Sequence, residues 1–574
     1  MMPLFDLCTA RTPHEKNMAA QQGTAPWILF CGGGSLMPGA QAVLETAAQN
    51  APDDAAVLEL RTWPQEHPKL YDPITCETPW AVADSMLVRR SAFEAVGGFE
   101  EDIFSDVAAV DFSWRLRVAG YRLLYVPAAR LAVPEENTEQ VDAQCALADQ
   151  ATASLALRLR FGTAADVADW DRLVFEMTGN ISTTPDMEQR FCARMAVLNQ
   201  RKKTDRAFYH TQVERSGFAP VFWGFDAAFL RAGAAFSACE PKGKPRFTVI
   251  MRAYQRPDML LQTLKSLRNQ TYQNFCVLVV EDGERPVCKA ACETAQQWLQ
   301  LTYLPLRDNA GRCEAGNAGL RAAQTDYVCF LDDDDYFFAE HLECMAAAID
   351  AHPECRLFFA GSVEGACKQQ AVPQFVRLWN NFHVPLTKED FFAGNPVSIQ
   401  SAVFHKSLFE EYGGLDPQLD ALEDWDFWLR CVIHTPFVAI EKATSLYRVP
   451  AQPQAYAERK ANFTKYRLAM VPRLATYRAQ ANLPPEKAEA PQDNAADTAE
   501  QPAHLAALRT AAERVCGAKG WRLASPLRAI TRGKRPDLFG PQAFDFATAD
   551  AQSLNRFIFG ARTSAVWRML RRGR

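Results

Sequence analysis

Four adjacent aspartates, Asp332 to Asp335, end the apolar run of "DYVCFLDDDDYF". Carboxylates this close repel and raise one another's pKa. A divalent cation removes that cost. Hard oxygen ligands suit Mg2+ or Mn2+, which keep several waters and bind a diphosphate as well. The alternative is a solvated acidic turn, which the buried strand leading straight into the cluster disfavours. A second stretch invites a different chemistry. In "FCGGGSLMPG", residues 30–39, three glycines follow the apolar run "PWILF". Such a loop can turn its backbone N–H groups onto a phosphate.

The elements around the aspartates have a regular order. "RFTVIMRAY" (246–254) reads as a buried strand, "DMLLQTLKSLRNQ" as a helix, and "NFCVLVVEDG" (274–283) as a second strand ending in acid and glycine. A helix over 286–300, a strand "LTYLPL" (301–306), the helical "GRCEAGNAGLRAAQ" and the strand into the aspartates complete the series. Alternating helices and wholly apolar strands predict an α/β fold with a sheet covered on both faces. Ligands bind such sheets beyond the carboxyl ends of the strands, where Asp282 and Asp332–Asp335 fall.

The chain has 574 residues, enough for several domains. Its net charge of −6 argues against nucleic acid as a partner. The 16 cysteines include no CxxC pair and fit a reducing cytosol. The N-terminus lacks a secretory pattern. The most apolar stretch, 217–239, carries Asp226 and Arg231 and reads as a buried helix rather than a span.

"FTVIMRAYQRPDMLLQTLKSLRNQTYQNFCVLVVEDG", then "NAGRCEAGNAGLRAAQTDYVCFLDDDDYF", resembles the nucleotide-sugar half of family-2 inverting glycosyltransferases. "NPVSIQSAVFHKSLFEEYGGLDPQLDALEDWDFWLRC" is similar to their acceptor half, so the resemblance covers about 246–450. It implies the GT-A fold, a Rossmann-like mixed sheet with flanking helices. It also implies a nucleoside-diphosphate sugar donor, a glycan or lipid-linked acceptor, and Mn2+ or Mg2+ as cofactor. Tyr254 and Asp282 would hold the base, with Arg256 and Asp333 beside them in the nucleotide-sugar site. Asp332 would contact ribose or diphosphate, and Asp334 would ligate the metal. Glu423-Asp424 matches the family's Glu-Asp pair, with Asp424 as catalytic base. On local grounds the same residues also suit the acidic start of an amphipathic helix. Where many members carry Arg-Asn, this chain has Gly316-Asn317; Arg312, one turn earlier, could reach the same phosphate. The Gln-x-x-Arg-Trp signature of processive synthases is absent after Asp424, which favours transfer of one sugar at a time.

The chain also matches itself. "GGLDPQLDALEDWDFWLR" (413–430) aligns with "GGFEEDIFSDVAAVDFSWRLR" (97–117), with Ala108-Ala109 in place of Glu423-Asp424. "PWILFCGGGSLM" aligns with "DYVCFLDDDDYF", setting Gly32-Gly33-Gly34-Ser35 on Asp332–Asp335. Only 26 residues precede Trp27, too few for a nucleotide pocket. The expected organisation is therefore a non-catalytic, partial GT-A-like module over 1–135 and a helical connection over 136–240. The catalytic domain would follow over 241–450, then a helix and an acidic, Pro-rich linker over 451–505. The basic helical tail, 506–574, closes the chain. Residues 501–574 hold fourteen Lys/Arg against four Asp/Glu. "GWRLASPLRAITRG" resembles a segment found after bacterial surface-polysaccharide glycosyltransferase domains. It suits either docking on the cytoplasmic leaflet or a solvated cap. The expected location is cytoplasmic, peripheral at the inner face of the membrane. The competing readings are a non-catalytic glycan-binding or scaffolding protein, and nucleotidyl transfer, for which "MRAYQRPD" offers no glycine-rich basic loop.

Overall fold

The computed structural model describes residues 4–66, 69–133, 143–167, 170, 185–220, 222, 240–243, 246–283, 285–368, 374–381 and 386–483. The linker and basic tail beyond residue 483, and most of the apolar stretch 217–239, lie outside them. Among the described residues no helix is long and apolar enough to cross a membrane.

Two mixed sheets form one compact unit. The first holds β1 (Phe5–Cys8), β2 (Trp27–Phe30), β3 (Ser35–Leu36), β4 (Ala55–Trp63), β5 (Met86–Arg89) and β6 (Arg122–Ala132), in the order β1-β2-β5-β4-β6-β3. The second holds β7 (Phe247–Ala253), β8 (Phe275–Glu281), β9 (Leu301–Pro305), β10 (Tyr327–Phe330), β11 (Tyr336–Phe337), β12 (Leu357–Lys368), β13 (Gln374–Asn381), β14 (Ala402–His405) and β15 (Phe437–Pro450). From one edge it runs β9-β8-β7-β10-β14-β12-β15-β11, with β13 paired to β12. A separate unit contains the helices Ser105–Val118, Ala143–Phe161 and Pro185–Phe208. Within it, Arg160 joins Asp111 and Asp205 through ion pairs of 2.7 and 3.1 Å.

Alternation within β7 explains the two-faced second sheet. Ile250 faces a core with Phe330, Phe404 and Trp428, while Val249 and Met251 face Leu260, Leu264 and Met345 on the other side. Every residue of the strand is buried, as expected of a parallel strand covered on both faces.

The first sheet repeats six strands of the second. β1, β2, β5, β4, β6 and β3 stand in the order of β7, β10, β14, β12, β15 and β11. The senses agree pair by pair: parallel for β1–β2 and β7–β10, antiparallel for β2–β5 and β10–β14, parallel for β4–β6 and β12–β15. The repeat thus reaches further than the sequence comparison suggested, because β1 and the helix Pro13–Gln22 stand where β7 and the helix Arg312–Ala322 stand. Among the described strands, β8, β9 and β13 have no counterpart.

Leu70, Tyr71 and Tyr125 pack with Tyr336, Phe338, Val363 and Leu446 from the second sheet. Beside them lies a buried ionic cluster. Arg61 pairs with Glu66 and, at 3.1 Å, with Glu343. Lys442 reaches Glu66 at 2.9 Å and Glu340 at 3.4 Å, and Arg130 reaches Glu343 at 3.0 Å. Removing one member of a buried network strands its partners. Arg61→Met is expected to cost about 3 kcal/mol, read as a lower denaturant midpoint at unchanged slope. A midpoint equal to wild type would show that the cluster is not coupled to stability.

Candidate active site

Three strand ends and one helix start meet at the site. β7 supplies Arg252 and, just beyond it, Tyr254 and Arg256. β8 supplies Asp282, and β10 runs into Asp332–Asp335. The helix Glu423–Val432 opens with the two acidic residues. Its preceding residue, Leu422, has φ +66°, an uncommon conformation for a branched side chain. That turn sets Glu423, Asp424 and Asp426 in the first helical turn, where the helix dipole favours carboxylates.

Arg252 ties the halves of the site together. Its Nε and Nη2 donate to the two oxygens of Asp332 at 2.7 Å each, and its Nη1 donates to Glu423 Oε1 at 2.7 Å. The side chain is 6% exposed. Such a fork is the strong form of an arginine–carboxylate pair. Burial alone would raise the Asp332 pKa, but the charge and hydrogen bonds of Arg252 outweigh it and hold the carboxyl below its usual value.

Arg256 is the counter-ion of the next two aspartates. It binds Asp333 through Nη2 and, at 3.2 Å, through Nε, and it donates to Asp334 Oδ2 at 2.8 Å. Asp333 is fully buried and also accepts the Tyr254 amide at 3.3 Å. Burial, then the neighbouring Asp334 charge, push its pKa up to about 7. Asp335 accepts the Arg448 amide at 2.9 Å, and Arg448 Nε donates to the Asp334 carbonyl. Burial and Asp334 push Asp335 up as well. The outward carboxylates are therefore Asp332 and Asp334, with side chains 22% and 32% exposed.

That donor set fits a hard divalent cation. Among the described residues no group of three or more acidic, histidine or cysteine side chains is arranged to hold an ion alone. Mg2+ commonly takes one or two carboxylates and completes its shell with phosphate oxygens and water. Asp334 can give one such ligand once Arg256 swings aside.

Tyr254 and Asp282 come together at the ends of adjacent strands. The Tyr254 ring is 43% exposed. It lies so close over Gly283 that a Cβ there would come within 3.2 Å of it. Asp282 accepts the amides of Ala310 and Gly311 at 2.7 and 2.9 Å, and so fixes the entry to the helix Arg312–Ala322. Arg312 opens that helix and adds a favourable charge at Asp332, but the guanidinium on Asp332 itself is that of Arg252.

Asp424 is set apart from the donor cluster. It accepts Asn395 Nδ2 at 3.0 Å and its neighbour's amide, Trp425 N, at 2.8 Å. Burial and the adjoining Glu423 charge push its pKa up to about 7. A carboxylate so tuned suits proton abstraction near neutral pH.

Arg252, Asn395 and Arg448 were not picked out from the sequence. Arg252 had a signal, since it is the single charge in a strand otherwise built of apolar residues and Thr248. Asn395 and Arg448 had none, because their partners lie 29 and 114 residues away.

Part of the chain is similar to known proteins. Residues 248–413 match the model for glycosyl transferase family 2. The amylovoran biosynthesis glycosyltransferase AmsE of Erwinia amylovora is 31% identical over 193 residues, 32% of this chain and 68% of its own length. Among solved structures, TarS 1-349 of S. aureus in complex with UDP is 17% identical, covering 56% of this chain and 92% of that one, with a TM-score of 0.31. The mannosyltransferase PcManGT of Pyrobaculum calidifontis, solved with GDP-Man and Mn2+, is 19% identical, covering 57% and 89%, with a TM-score of 0.31. On the family-model match and the likeness to AmsE, the chain belongs to glycosyltransferase family 2.

Proposed function

We propose that this glycosyltransferase moves one sugar, with inversion, from a nucleoside-diphosphate sugar to a hydroxyl of a glycan or lipid-linked acceptor. The product would be a bacterial surface polysaccharide; the similar AmsE is named for amylovoran biosynthesis. One observation carries the mechanism. Arg252 joins the donor-side Asp332 to Glu423, the neighbour of Asp424. Base and donor cluster are thereby held in one frame, as in-line transfer requires.

In this reading Tyr254 stacks on the base. Asp332 and Asp334 face the diphosphate, and a divalent cation bound there would neutralise charge on the departing diphosphate. Asp424 takes the acceptor proton as the acceptor oxygen bonds to the anomeric carbon. The bond from that carbon to the diphosphate breaks on the opposite face, and its electron pair leaves with the nucleoside diphosphate. Attack from the side opposite the leaving group inverts the anomeric centre.

Incubation with UDP-, GDP- and dTDP-sugars and Mn2+ tests the reading directly. Hydrolysis or transfer from one donor class is expected; inertness toward all of them would favour a non-catalytic glycan-binding or scaffolding role. The first sheet, with glycines facing the place of the aspartates, is read as the non-catalytic module.

The base also predicts a pH profile. Asp424 works deprotonated, so kcat should fall as pH drops through about 7 and level off above it. Asn395 favours the charged form. Asn395→Ala should therefore move the midpoint to higher pH; a shift to lower pH, or none, would remove Asp424 from that role.

A further inference from the structure

We infer that Arg252 and Gly316 are a matched pair: the second sheet has moved the site's cation from a helix to a strand end, and Arg252 is the positioning residue for Asp332 and Glu423. This rests on the transfer reading above.

The two sheets can be superposed residue by residue through their registers. Cys8 stands opposite Phe30 in β1–β2, and Ile250 opposite Phe330 in β7–β10. Two further residues along, Ala10 corresponds to Arg252. The helices preceding β2 and β10 correspond as well, and an identical clamp proves the alignment. Asn17 donates to the Phe99 carbonyl at 2.9 Å and accepts its amide at 2.8 Å. Asn317 does the same with Leu415, at 2.8 Å both ways. The residue before each asparagine is therefore also equivalent, and Lys16 corresponds to Gly316.

In each sheet one of these two positions is basic and the other is Ala or Gly. The first sheet has Ala10 and Lys16; the second has Arg252 and Gly316. The anion is exchanged too. Extending the antiparallel registers sets Gly32 opposite Asp84, and Asp332 opposite Gln400. Lys16 Nζ lies 2.6 Å from Asp84 Oδ1, and Asp84 fills the space a Cβ on Gly32 would need, at 2.4 Å. Each sheet end thus holds a buried cation reached from opposite elements, Lys16 on Asp84 in the first and Arg252 on Asp332 and Glu423 in the second.

Sterics make the choice exclusive. A Cβ on Gly316 would meet Leu415 Cδ1 at 2.7 Å and the Arg252 side chain at 3.5 Å. A longer basic chain at 316 must cross the path of Arg252. Two buried cations would then compete for one seat, with the excess charge unpaired. With Arg252 shortened, that path opens, once Leu415 moves its methyl aside and the Phe330 ring, 3.3 Å from the added Cβ, gives by a few tenths of an ångström.

The test is a double-mutant cycle on the full chain with Arg252→Ala and Gly316→Lys. Arg252→Ala should lower kcat about 100-fold. Gly316→Lys should harm the wild type but recover at least about tenfold of kcat in the Arg252→Ala background. Thermal unfolding gives the same sign reversal independently of turnover. Gly316→Lys should lower the midpoint of the wild type and raise that of Arg252→Ala, each by roughly 5 °C. A chain inert to every donor would end the transfer reading, while the unfolding cycle would still decide the pairing. Effects of Gly316→Lys with the same sign in both backgrounds would overturn the inference. If Arg252→Ala does not fold, Arg252→Lys, which keeps the charge but loses the fork, takes its place in the cycle.

Discussion

Asp424→Asn is expected to lower kcat about 10³-fold while leaving donor affinity at the wild-type value. The amide keeps the shape of the carboxylate; its oxygen can keep the bond from the Trp425 amide, and its NH2 can donate to the buried, unpaired Asn395 Oδ1 once the Asn395 amide flips. It cannot take a proton from the acceptor hydroxyl. It also removes one of two adjacent acids, so Glu423 keeps its bond to Arg252 with less repulsion beside it. Folding should be preserved or slightly improved, and the loss should fall on chemistry. Donor affinity is measured by calorimetry and turnover by release of nucleoside diphosphate in the presence of acceptor. Undiminished turnover would mean that the proton leaves by another route.

Asp334→Ala is expected to weaken Mn2+-dependent donor binding and to lower kcat about 10²-fold. What remains should be indifferent to EDTA. The substitution frees Arg256 Nη1, whose partner is Asp334 Oδ2, so the local charge rises by one without a cation. Some electrostatic attraction for diphosphate should survive, which is why the loss stops short of abolition. Gly33→Ala is the control from the first sheet. Its φ of +86° strains an alanine, but the space is open apart from Arg11 at 3.5 Å, and donor affinity should not move. Equal loss from both substitutions would bring the first sheet into donor binding after all. EDTA without effect on wild-type donor binding would remove the metal from Asp334.

Much of the second sheet was legible because its signals are local. β7, β8 and β10 are apolar runs, the last two leading straight into acid, and the Glu-Asp pair opens a helix whose apolar spacing is clear. What escaped depended on partners distant in the chain. β1 is four residues of "FDLC" with an exposed Leu7, too short for any periodicity to register. Arg252 was seen as part of a strand, and its meaning came only when the fold brought Glu423, 171 residues on, to its guanidinium. Gly316 was noted as a departure whose compensation was sought along the same helix, at Arg312. In the pairing inferred above it lies on the neighbouring strand, at Arg252, because strand ends and helix starts share the rim of the sheet while remaining far apart in sequence. Asp282 was read as a ligand contact, and its bonds to Ala310 and Gly311 show the additional work of shaping the rim.

The glycines at 32–34 leave the first sheet without donor-site carboxylates, yet its ionic contacts give it a reason to persist. Its share of the buried cluster is Arg61, Arg130 and Glu66; the second sheet brings Glu340, Glu343 and Lys442. Among these six side chains each share carries one excess charge, of opposite sign, and Arg130 also pairs with Glu240 at the exposed edge of the cluster. Separating the halves would take Glu343 from Arg61 and Glu66 from Lys442. On the proposed reading, the first sheet serves as the electrical complement of the second.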